Sequence, residues 1–212
     1  MRIIAGTKKG MTLLSPKGTD TRPITDRVKE SVFNILFSKG FPQDCAAADL
    51  FCGTGSMGLE ALSRGATWVT FIDKNFKAVE ILRKNIAKSG FLPQSVAICA
   101  DVFRVGAPAT PEHAMYDLVF VDPPYAMTFN CGPGSQVEKL LTLLDSQVSQ
   151  AGLVVLRTHQ NACVSRNYGR LVRIDNRQWG NMAVAFFQKQ TGFADQSPQP
   201  ECKEPINGDE NE

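Results

Sequence analysis

The chain has 212 residues, of which 43% are hydrophobic and 21% are charged. This composition is ordinary for one soluble globular domain and excludes disordered and fibrous classes for the body of the chain. The formal net charge of +2 is unevenly distributed, because residues 191–212 hold six acids and one base whereas residues 1–40 hold eight bases and three acids. We therefore expect a disordered acidic tail over residues 191–212. The basic N-terminal region predicts either a polyanion contact or a solvated face without a partner.

The spacing of the cysteines and the length of the apolar runs bear on metal binding, secretion and membrane insertion. The six cysteines are scattered, without a CxxC pair or a neighbouring histidine, so neither a zinc site nor a redox motif is expected. The apolar run at the N-terminus is too short for a signal peptide, and no segment approaches the roughly 18 apolar residues of a membrane span. We expect a cytoplasmic monomer without a bound metal or a membrane partner.

The first 40 residues predict a small N-terminal unit. RIIAG and MTLLSP are typical of two short strands in a β-hairpin, with Lys8 and Lys9 at its tip. A helix follows, with Thr25 as its N-cap and Gly40 at its C-terminal exit. The predicted apolar face of this helix comprises Val28, Val32, Ile35 and Leu36. We interpret residues 1–40 as a hairpin and helix appended to the main domain.

From residue 46 onward, short apolar runs alternate with helical segments. The runs AAADLF, TWVTFID, SVAICAD and YDLVFVD are typical of buried strands. Such alternation predicts an α/β fold in which a parallel sheet has helices on both faces. A helix from about Gln136 to Leu144 leads to GLVVLRT, and YGRLVRID and NMAVAFFQ then predict a closing antiparallel hairpin. We therefore assign residues 41–190 to one domain.

Acidic residues or glycines follow each of the first four predicted strands of this domain. They are Asp49 with the glycine loop after it, Asp73, Asp101 and Asp122. In an open parallel sheet, ligands bind beyond the carboxyl ends of the strands. One such aspartate is more often a turn residue or a helix cap. Four strand ends of this kind at the same edge predict a ligand site.

The glycines after the first strand permit a dinucleotide as the ligand. Gly53, Gly55 and Gly58 fit the pattern G-x-G-x-x-G, and Asp73 lies 20 residues beyond Gly53. Close packing of a helix explains Gly58 equally well. Neither a Tyr-x-x-x-Lys motif nor a suitably placed histidine accompanies the loop, so hydride transfer has no support from the sequence.

The acids favour S-adenosylmethionine over a dinucleotide. This cofactor has no phosphate, and its ammonium and sulfonium groups favour a nearby carboxylate such as Asp49. Its ribose diol suits Asp73, and its adenine amino group suits Asp101. Gly53 and Gly55 have no Cβ atom and let the backbone approach the cofactor closely. We predict these five residues as the cofactor site.

The fourth strand ends in DPPY, which predicts methyl transfer to an amine. The exocyclic amine of a nucleobase has its lone pair delocalised into the ring, so it reacts only when it is held in tetrahedral geometry. Asp122 and the carbonyl of Pro123, whose direction Pro123 and Pro124 fix, can grip such an amine. Tyr125 offers a ring on which an extruded base can stack. An isolated DPPY is explained as well by a rigid loop, but at this edge of the sheet we predict Asp122, Pro123, Pro124 and Tyr125 as catalytic residues.

With these motifs in place, the chain from about Arg2 to Lys189 resembles the RsmD family, bacterial methyltransferases that act on a guanine N2 amine of 16S ribosomal RNA. RIIAG and TRPITDRVKESVFNIL resemble the N-terminal signature of that family, and DLFCGTGSMGLEALSRGA resembles its cofactor loop. The resemblance implies a class I S-adenosylmethionine-dependent methyltransferase sheet, which is Rossmann-like, with a C-terminal hairpin. It also implies 16S ribosomal RNA in the assembling small subunit as the partner.

The resemblance extends to particular residues. It supports the cofactor and catalytic assignments made above. It also implies cofactor-lid or RNA contacts in the N-terminal motif, at Arg22, Pro23, Thr25 and Arg27. Lys8 and Lys9 are further candidate RNA contacts, on charge alone.

The chain departs from the family pattern in two places. Where an acid is expected after the fifth strand, VVLRTH has Arg157 and His159. The segment AMTFNCGPGS, which follows DPPY, is longer than usual. Both departures fall in the region where a substrate loop is expected.

Two other functions fit part of the sequence. A DNA adenine or cytosine amine methyltransferase uses the same DPPY chemistry, but it normally carries a separate target-recognition region, for which only about 40 N-terminal residues are available here. A non-catalytic RNA-binding module explains the basic N-terminus but does not need acids and DPPY along one sheet edge. The nucleoside that becomes methylated tests the first alternative, and cofactor binding tests the second.

Overall fold

The computed structural model describes residues 1–16 and 24–190. The helices in these ranges are α1 (Asp26–Ser38), α2 (Ser56–Ser63), α3 (Phe76–Ser89), α4 (Val102–Val105) and α5 (Gln136–Gln147). The strands are β1 (Ala46–Leu50), β2 (Trp68–Asp73), β3 (Ser95–Cys99), β4 (Tyr116–Val121), β5 (Asn130–Cys131), β6 (Val148–His159), β7 (Cys163–Val164), β8 (Asn167–Tyr168), β9 (Leu171–Trp179) and β10 (Met182–Lys189).

Eight strands form one sheet in the order β3-β2-β1-β4-β6-β10-β9-β8. The strands from β3 across to β6 pair in parallel, whereas β10 is antiparallel to both β6 and β9. This arrangement confirms the predicted methyltransferase-type sheet with its C-terminal hairpin. The chain runs outward from β1 to β3 and returns to β4 on the other side of β1. The crevice beyond the carboxyl ends of β1 and β4 is therefore the expected ligand position.

Helices cover both faces of the sheet. Helices α1, α2 and α3 pack on one face, and α4 and α5 pack on the other. Alternate residues of β4 face the two layers, so that Leu118 and Phe120 join the first and Val119 and Val121 join the second. Burial on both faces explains why these strands have continuous apolar sequences.

The N-terminal segment folds back as the predicted β-hairpin does, but it lacks the two regular strands. The chain turns back on itself, and Arg2 forms an antiparallel bridge with Thr12. No regular strand is present within residues 1–16. Instead, Leu14 bonds through its N–H to Asn85 Oδ1 of α3 at 2.8 Å. A side chain of the main domain thus satisfies backbone groups that a longer hairpin would pair within itself.

A buried charge network joins the same segment to α1 and α2. Glu60 is fully buried and accepts hydrogen bonds from the N–H groups of Ile4 at 2.8 Å and Ala5 at 3.0 Å. Its carboxylate also pairs with Lys29 Nζ at 3.2 Å and with Arg64 Nε at 2.7 Å. Burial lowers the pKa of Lys29, and the neighbouring Glu60 opposes that shift. Lys29 is therefore an internal charge and does not belong to a basic surface.

The N-terminal segment and α1 share the core of the main domain. Apolar residues from both regions are buried in one cluster, which includes Ile3, Leu13, Phe33, Leu36, Leu59, Phe71 and Phe120. The boundary predicted near residue 40 therefore does not separate two hydrophobic cores, because residues on both sides of it pack in the same cluster.

Membrane and metal features are absent from the described part of the chain. None of its helices has the length and apolarity of a membrane span. Within residues 1–16 and 24–190, the acidic, cysteine and histidine side chains also form no group that could hold a metal ion. The predicted acidic tail and the predicted N-terminal contacts Arg22 and Pro23 lie outside the described residues.

Candidate active site

The glycine loop connects β1 to α2 at the carboxyl edge of the sheet. Gly53 and Gly55 have φ angles of 53° and 87°, in the left-handed region that favours glycine. A Cβ atom on Gly55 would lie 2.4 Å from Leu82 Cδ1, whereas a Cβ atom on Gly53 would meet no atom within 4 Å. The left-handed φ angle and the nearby leucine side chains together favour a glycine at position 55, and Gly53 borders open space. Between them, Thr54 Oγ1 is buried and has no hydrogen-bond partner among the described residues.

Asp49 lies inside the protein, below the rim. Its side chain is 1% exposed, and Oδ2 accepts a hydrogen bond from the Gly58 N–H of α2 at 2.8 Å. A Cβ atom on Gly58 would lie 2.3 Å from Phe71 Cε1, so this helix approaches the sheet closely. Burial raises the pKa of Asp49 to about 7. The structure gives Asp49 a role in holding α2 against β1, and any influence on a cofactor would act through the glycine loop.

Asp73 and Asp101 lie at the rim, and their carboxylates bind backbone groups. Asp73 accepts hydrogen bonds from the N–H of Gly53 and the N–H of Asn75, each at 2.8 Å. Asp101 is exposed and caps α4 by accepting from the Phe103 N–H at 3.1 Å. Because a carboxylate has about four lone-pair sites, both side chains keep acceptor capacity for a ligand.

DPPY leaves β4 at the same edge. Asp122 directly follows the strand, and the Pro123 that comes next is buried. The Pro124 carbonyl accepts a hydrogen bond from the Met127 N–H at 2.9 Å. Among the described residues, the Pro123 carbonyl accepts none. The motif thus offers a free carbonyl oxygen immediately after a carboxylate.

Arg157 forms an ion pair with Asp122 that the sequence had not indicated. Its Nε donates to Asp122 Oδ1, and the two side chains are 15% and 24% exposed. Burial raises the pKa of Asp122, and the Arg157 guanidinium opposes that rise. The sequence already showed Arg157, in VVLRTH, as a departure from the family pattern. Its contact with Asp122, however, depends on the register of β6 beside β4, which aligns Leu156 with Val121. The residues after this aligned pair are Arg157 and Asp122.

Aromatic rings surround the ion pair. The Arg157 guanidinium lies 5.6 Å from the centre of the Tyr125 ring, and the His159 ring is nearly perpendicular to Tyr125 at 6.1 Å. Phe129, which the sequence reasoning missed, lies 4.8 Å from His159. In the described ranges, Tyr125 OH and Arg157 Nη1 are buried without hydrogen-bond partners. Buried polar groups without partners beside a carboxylate are available to an ordered water or a ligand.

Lys8 and Lys9 lie away from this cluster. Both side chains are exposed, and the Lys8 N–H donates to Ser63 Oγ, in the last residue of α2, at 2.9 Å. Because α2 follows β1, it starts at the carboxyl edge of the sheet and runs toward the amino edge. Eight helical residues span about 12 Å. The structure therefore does not bring these two lysines together with the acceptor motif.

The start of α1, by contrast, lies beside the acceptor motif. Ile24 lines a small apolar cavity together with Asp122 and Arg157. Thr25 is the N-cap of α1, as predicted, and Arg27 is exposed in the first turn. Of the contacts predicted in the N-terminal motif, Thr25 and Arg27 are thus the two that the structure describes, and both lie at the start of α1, next to the site.

A comparison of the sequence with family models identifies the chain. Residues 1–188 match the model described as conserved hypothetical protein 95, which represents the RsmD family. The chain belongs to this family. The match covers both halves of the candidate site, from the glycine loop to DPPY and Arg157, and it confirms the predicted family and its methyltransferase class.

Individual relatives agree with the RsmD assignment. The putative rRNA methyltransferase YlbH of Bacillus subtilis is 32% identical over 194 residues, which cover 89% of this chain and 99% of that protein. The ribosomal RNA small subunit methyltransferase D of Haemophilus influenzae is 36% identical over 127 residues, which cover 59% of this chain and 64% of that protein. A solved structure of the putative methyltransferase yhhF from Escherichia coli has a TM-score of 0.74 at 27% identity, covering 90% of this chain and 98% of that one.

Proposed function

We propose that the protein transfers a methyl group from S-adenosylmethionine to the exocyclic N2 amine of a guanine in 16S ribosomal RNA, in the assembling small subunit. The observation that carries the proposal is the position of Asp122, one strand from the glycine loop at the carboxyl edge of the sheet. Arg157 engages Oδ1 of this carboxylate, and no described residue engages Oδ2. Membership of the RsmD family supports ribosomal RNA as the acceptor.

The rim fits S-adenosylmethionine. Open space beside Gly53 lets a ligand approach the loop backbone, and Asp73 and Asp101 keep acceptor capacity for a ribose diol and an adenine amino group. The buried hydroxyl of Thr54 is a further polar group without a partner among the described residues. When bound, this cofactor supplies a methyl group attached to a positively charged sulfur.

The acceptor motif can orient a guanine amine. The amine has two N–H groups, and the motif has two suitably placed acceptors, the free oxygen of Asp122 and the carbonyl of Pro123. Binding of both N–H groups fixes the direction in which the nitrogen lone pair is presented. The exposed part of the Tyr125 ring supports the base once it has left its stack. Rate enhancement then comes mainly from positioning.

Charge at Asp122 also stabilises the reacting nitrogen. Positive charge develops on the amine as the new bond forms, and a carboxylate at this position lowers the free energy of that state. Arg157 favours the ionised form of Asp122, because its guanidinium opposes the effect of burial on the carboxyl pKa. The methylated nitrogen is strongly acidic until it loses a proton, so Asp122 is needed for orientation and charge rather than as a strong base.

Transfer of a labelled methyl group tests the proposal. Purified protein, tritiated S-adenosylmethionine and either small-subunit RNA or small-subunit particles without the modification are mixed, and the product is digested to nucleosides. Label in N2-methylguanine is the expected result. Label in adenine or cytosine, or in DNA offered as a competitor, would contradict the proposed acceptor. Cofactor binding without transfer to any nucleic acid would contradict the proposed substrate, and RNA binding without cofactor binding would favour a non-catalytic module.

A further inference from the structure

Phe129 is an exposed aromatic residue beside the acceptor motif, and hydrogen bonds anchor the backbone next to it. Its side chain is 56% exposed, while the preceding Thr128 is fully buried. Thr128 Oγ1 donates to the Tyr125 carbonyl at 2.9 Å and accepts from the His159 N–H at 3.0 Å. One buried hydroxyl thus ties the segment of Phe129 both to the turn after DPPY and to the end of β6.

The chain that follows Phe129 is anchored as well. The short strand β5 pairs in parallel with β7. Cys131 donates through Sγ to the Thr128 carbonyl at 3.3 Å, and its own carbonyl accepts from Tyr168 OH at 2.7 Å. Both Cys131 and Tyr168 are fully buried. These contacts fix the backbone position from which the phenyl ring of Phe129 projects.

The exposed ring continues a row of rings that starts at the catalytic motif. Tyr125 and His159 have ring centres 6.1 Å apart, and His159 and Phe129 have ring centres 4.8 Å apart. His159 Nδ1 accepts a hydrogen bond from the Asn161 N–H at 3.2 Å, which restrains the middle ring. Phe129 comes from AMTFNCGPGS and His159 from VVLRTH, so the two segments that depart from the family pattern meet here.

We propose that Phe129, supported by His159, is a stacking platform for the unpaired RNA base next to the target nucleotide. The inference rests on the proposed function and extends it by one nucleotide. A base that is extruded onto Tyr125 leaves its neighbour in the strand with an uncovered face, and an aromatic ring is the usual protein partner for such a face. Continuity with Tyr125 favours a base of the same strand as the occupant. Because every base has a π face, the platform holds this neighbour without selecting its identity.

The test compares Phe129→Ala, Phe129→Trp and a matched control. The control is Phe37→Ala, because Phe37 is also an exposed phenylalanine, at 78% against 56% for Phe129, and lies near the C-terminal end of α1. The RNA probes are synthetic fragments that contain the mapped target guanine, either intact or with an abasic nucleotide on one side or the other. KM and kcat are measured for each variant on each RNA, and cofactor affinity is measured by calorimetry.

On intact RNA, Phe129→Ala is expected to raise KM roughly 5- to 150-fold, the range of one lost base stack. Cofactor affinity should not change, Phe129→Trp should restore the wild-type KM, and Phe37→Ala should have no effect. On RNA with an abasic nucleotide at the stacked position, the KM of wild type should rise to the value that Phe129→Ala has on intact RNA. On that abasic RNA, Phe129→Ala should not raise KM further. Equal effects of Phe129→Ala on all three RNAs, or no effect on any, would overturn the platform.

The platform and the proposed function fail in different ways. If the wild-type protein methylates neither RNA nor small-subunit particles, the proposed function fails, and the platform is then tested by binding alone. A single-stranded RNA with one 2-aminopurine reports stacking through fluorescence quenching. Quenching by wild type and Phe129→Trp but not by Phe129→Ala would support the platform, and equal quenching by all three proteins would contradict it.

Discussion

Two regions of the molecule contain buried charges, and they differ in how completely those charges are paired. In the N-terminal network, the Glu60 carboxylate accepts from two backbone N–H groups and contacts both Lys29 and Arg64. At the acceptor motif, Asp122 keeps one oxygen without a described partner, and Arg157 Nη1 and Tyr125 OH have none. A fully paired buried charge serves the fold, whereas buried polar groups without partners indicate a site for a ligand.

The structure gives other partners to two of the bases behind an interpretation that was based on charge alone. Eight bases in the first 40 residues predicted a polyanion contact. Yet Lys29 is buried against Glu60, and Arg2 pairs with Asp26 at 2.7 Å. The N-terminal charges thus partly neutralise one another, and the strongest structural indication of a substrate is at the ends of β4 and β6.

The largest expected effect on stability comes from Glu60→Gln. We expect the free energy of unfolding to fall by about 3–5 kcal/mol, because Lys29 is left buried without its carboxylate. Urea unfolding measures the change. The control is Asp145→Asn, which removes a partly exposed pair with Arg170 and should cost about 1 kcal/mol or less. Equal losses in the two variants would contradict the structural role of the network.

Arg157→Gln should change the pH dependence of catalysis. Because the guanidinium opposes the burial that raises the pKa of Asp122, its removal should raise that pKa further. The carboxylate form then requires a more alkaline solution, so the acidic limb of the single-turnover rate should move to higher pH. Arg157→Lys keeps a positive charge and should move the limb less. If the pH profiles of wild type and Arg157→Gln coincided, Arg157 would have no influence on the ionisation of Asp122.

Asp49→Asn should change how stability depends on pH. The pKa of Asp49 rises from the ordinary 3.8 to about 7 in the folded protein, so between these values the folded state keeps a proton that the unfolded state releases. Wild type should therefore lose stability relative to Asp49→Asn as pH rises through this window. Asparagine keeps an oxygen for the Gly58 N–H. Unfolding midpoints of both proteins at several pH values give the difference, and a constant difference would contradict the burial argument.

The smallest effect is expected from Lys8→Ala combined with Lys9→Ala. Because these lysines lie toward the amino edge of the sheet, binding of a short RNA that contains the target guanine should keep its salt dependence. The slope of log Kd against log salt is the measurement. A slope that falls by about one unit for each lost phosphate contact would place this turn in the RNA interface.

Much of the fold was predictable, because the strands are buried on both faces and their apolar runs are continuous. The predicted helix from Gln136 to Leu144 matches α5, which ends at Gln147, and Thr25 is the N-cap of α1. The N-terminal segment folds back as the predicted hairpin does, but it forms an isolated antiparallel bridge and not two regular strands. Its backbone pairs with the side chains of Glu60 and Asn85, and a local pattern cannot reveal partners that lie more than 50 residues away.

The site was predictable where it depends on strand ends and less so where it depends on register. Asp73, Asp101 and Asp122 follow their strands at one edge, as parallel topology requires. Asp49 lies within β1, whose residues are all buried, and its carboxylate accepts a hydrogen bond from the Gly58 N–H. The contacts of Arg157 and Phe129 depend on how β6 aligns with β4 and on a turn held by Thr128. Neither of these contacts could be predicted from the spacing of residues in the sequence.

The most direct test of the account is the effect of Asp122→Asn on single-turnover methyl transfer and on unfolding, measured on the same preparation. Asparagine keeps the size of the side chain but removes the charge that stabilises the reacting nitrogen. We predict that the rate falls by about 10²- to 10³-fold, while cofactor affinity and the unfolding midpoint stay near those of wild type. A wild-type rate, or a loss of stability as large as that of Glu60→Gln, would contradict the assignment of Asp122 to the acceptor site.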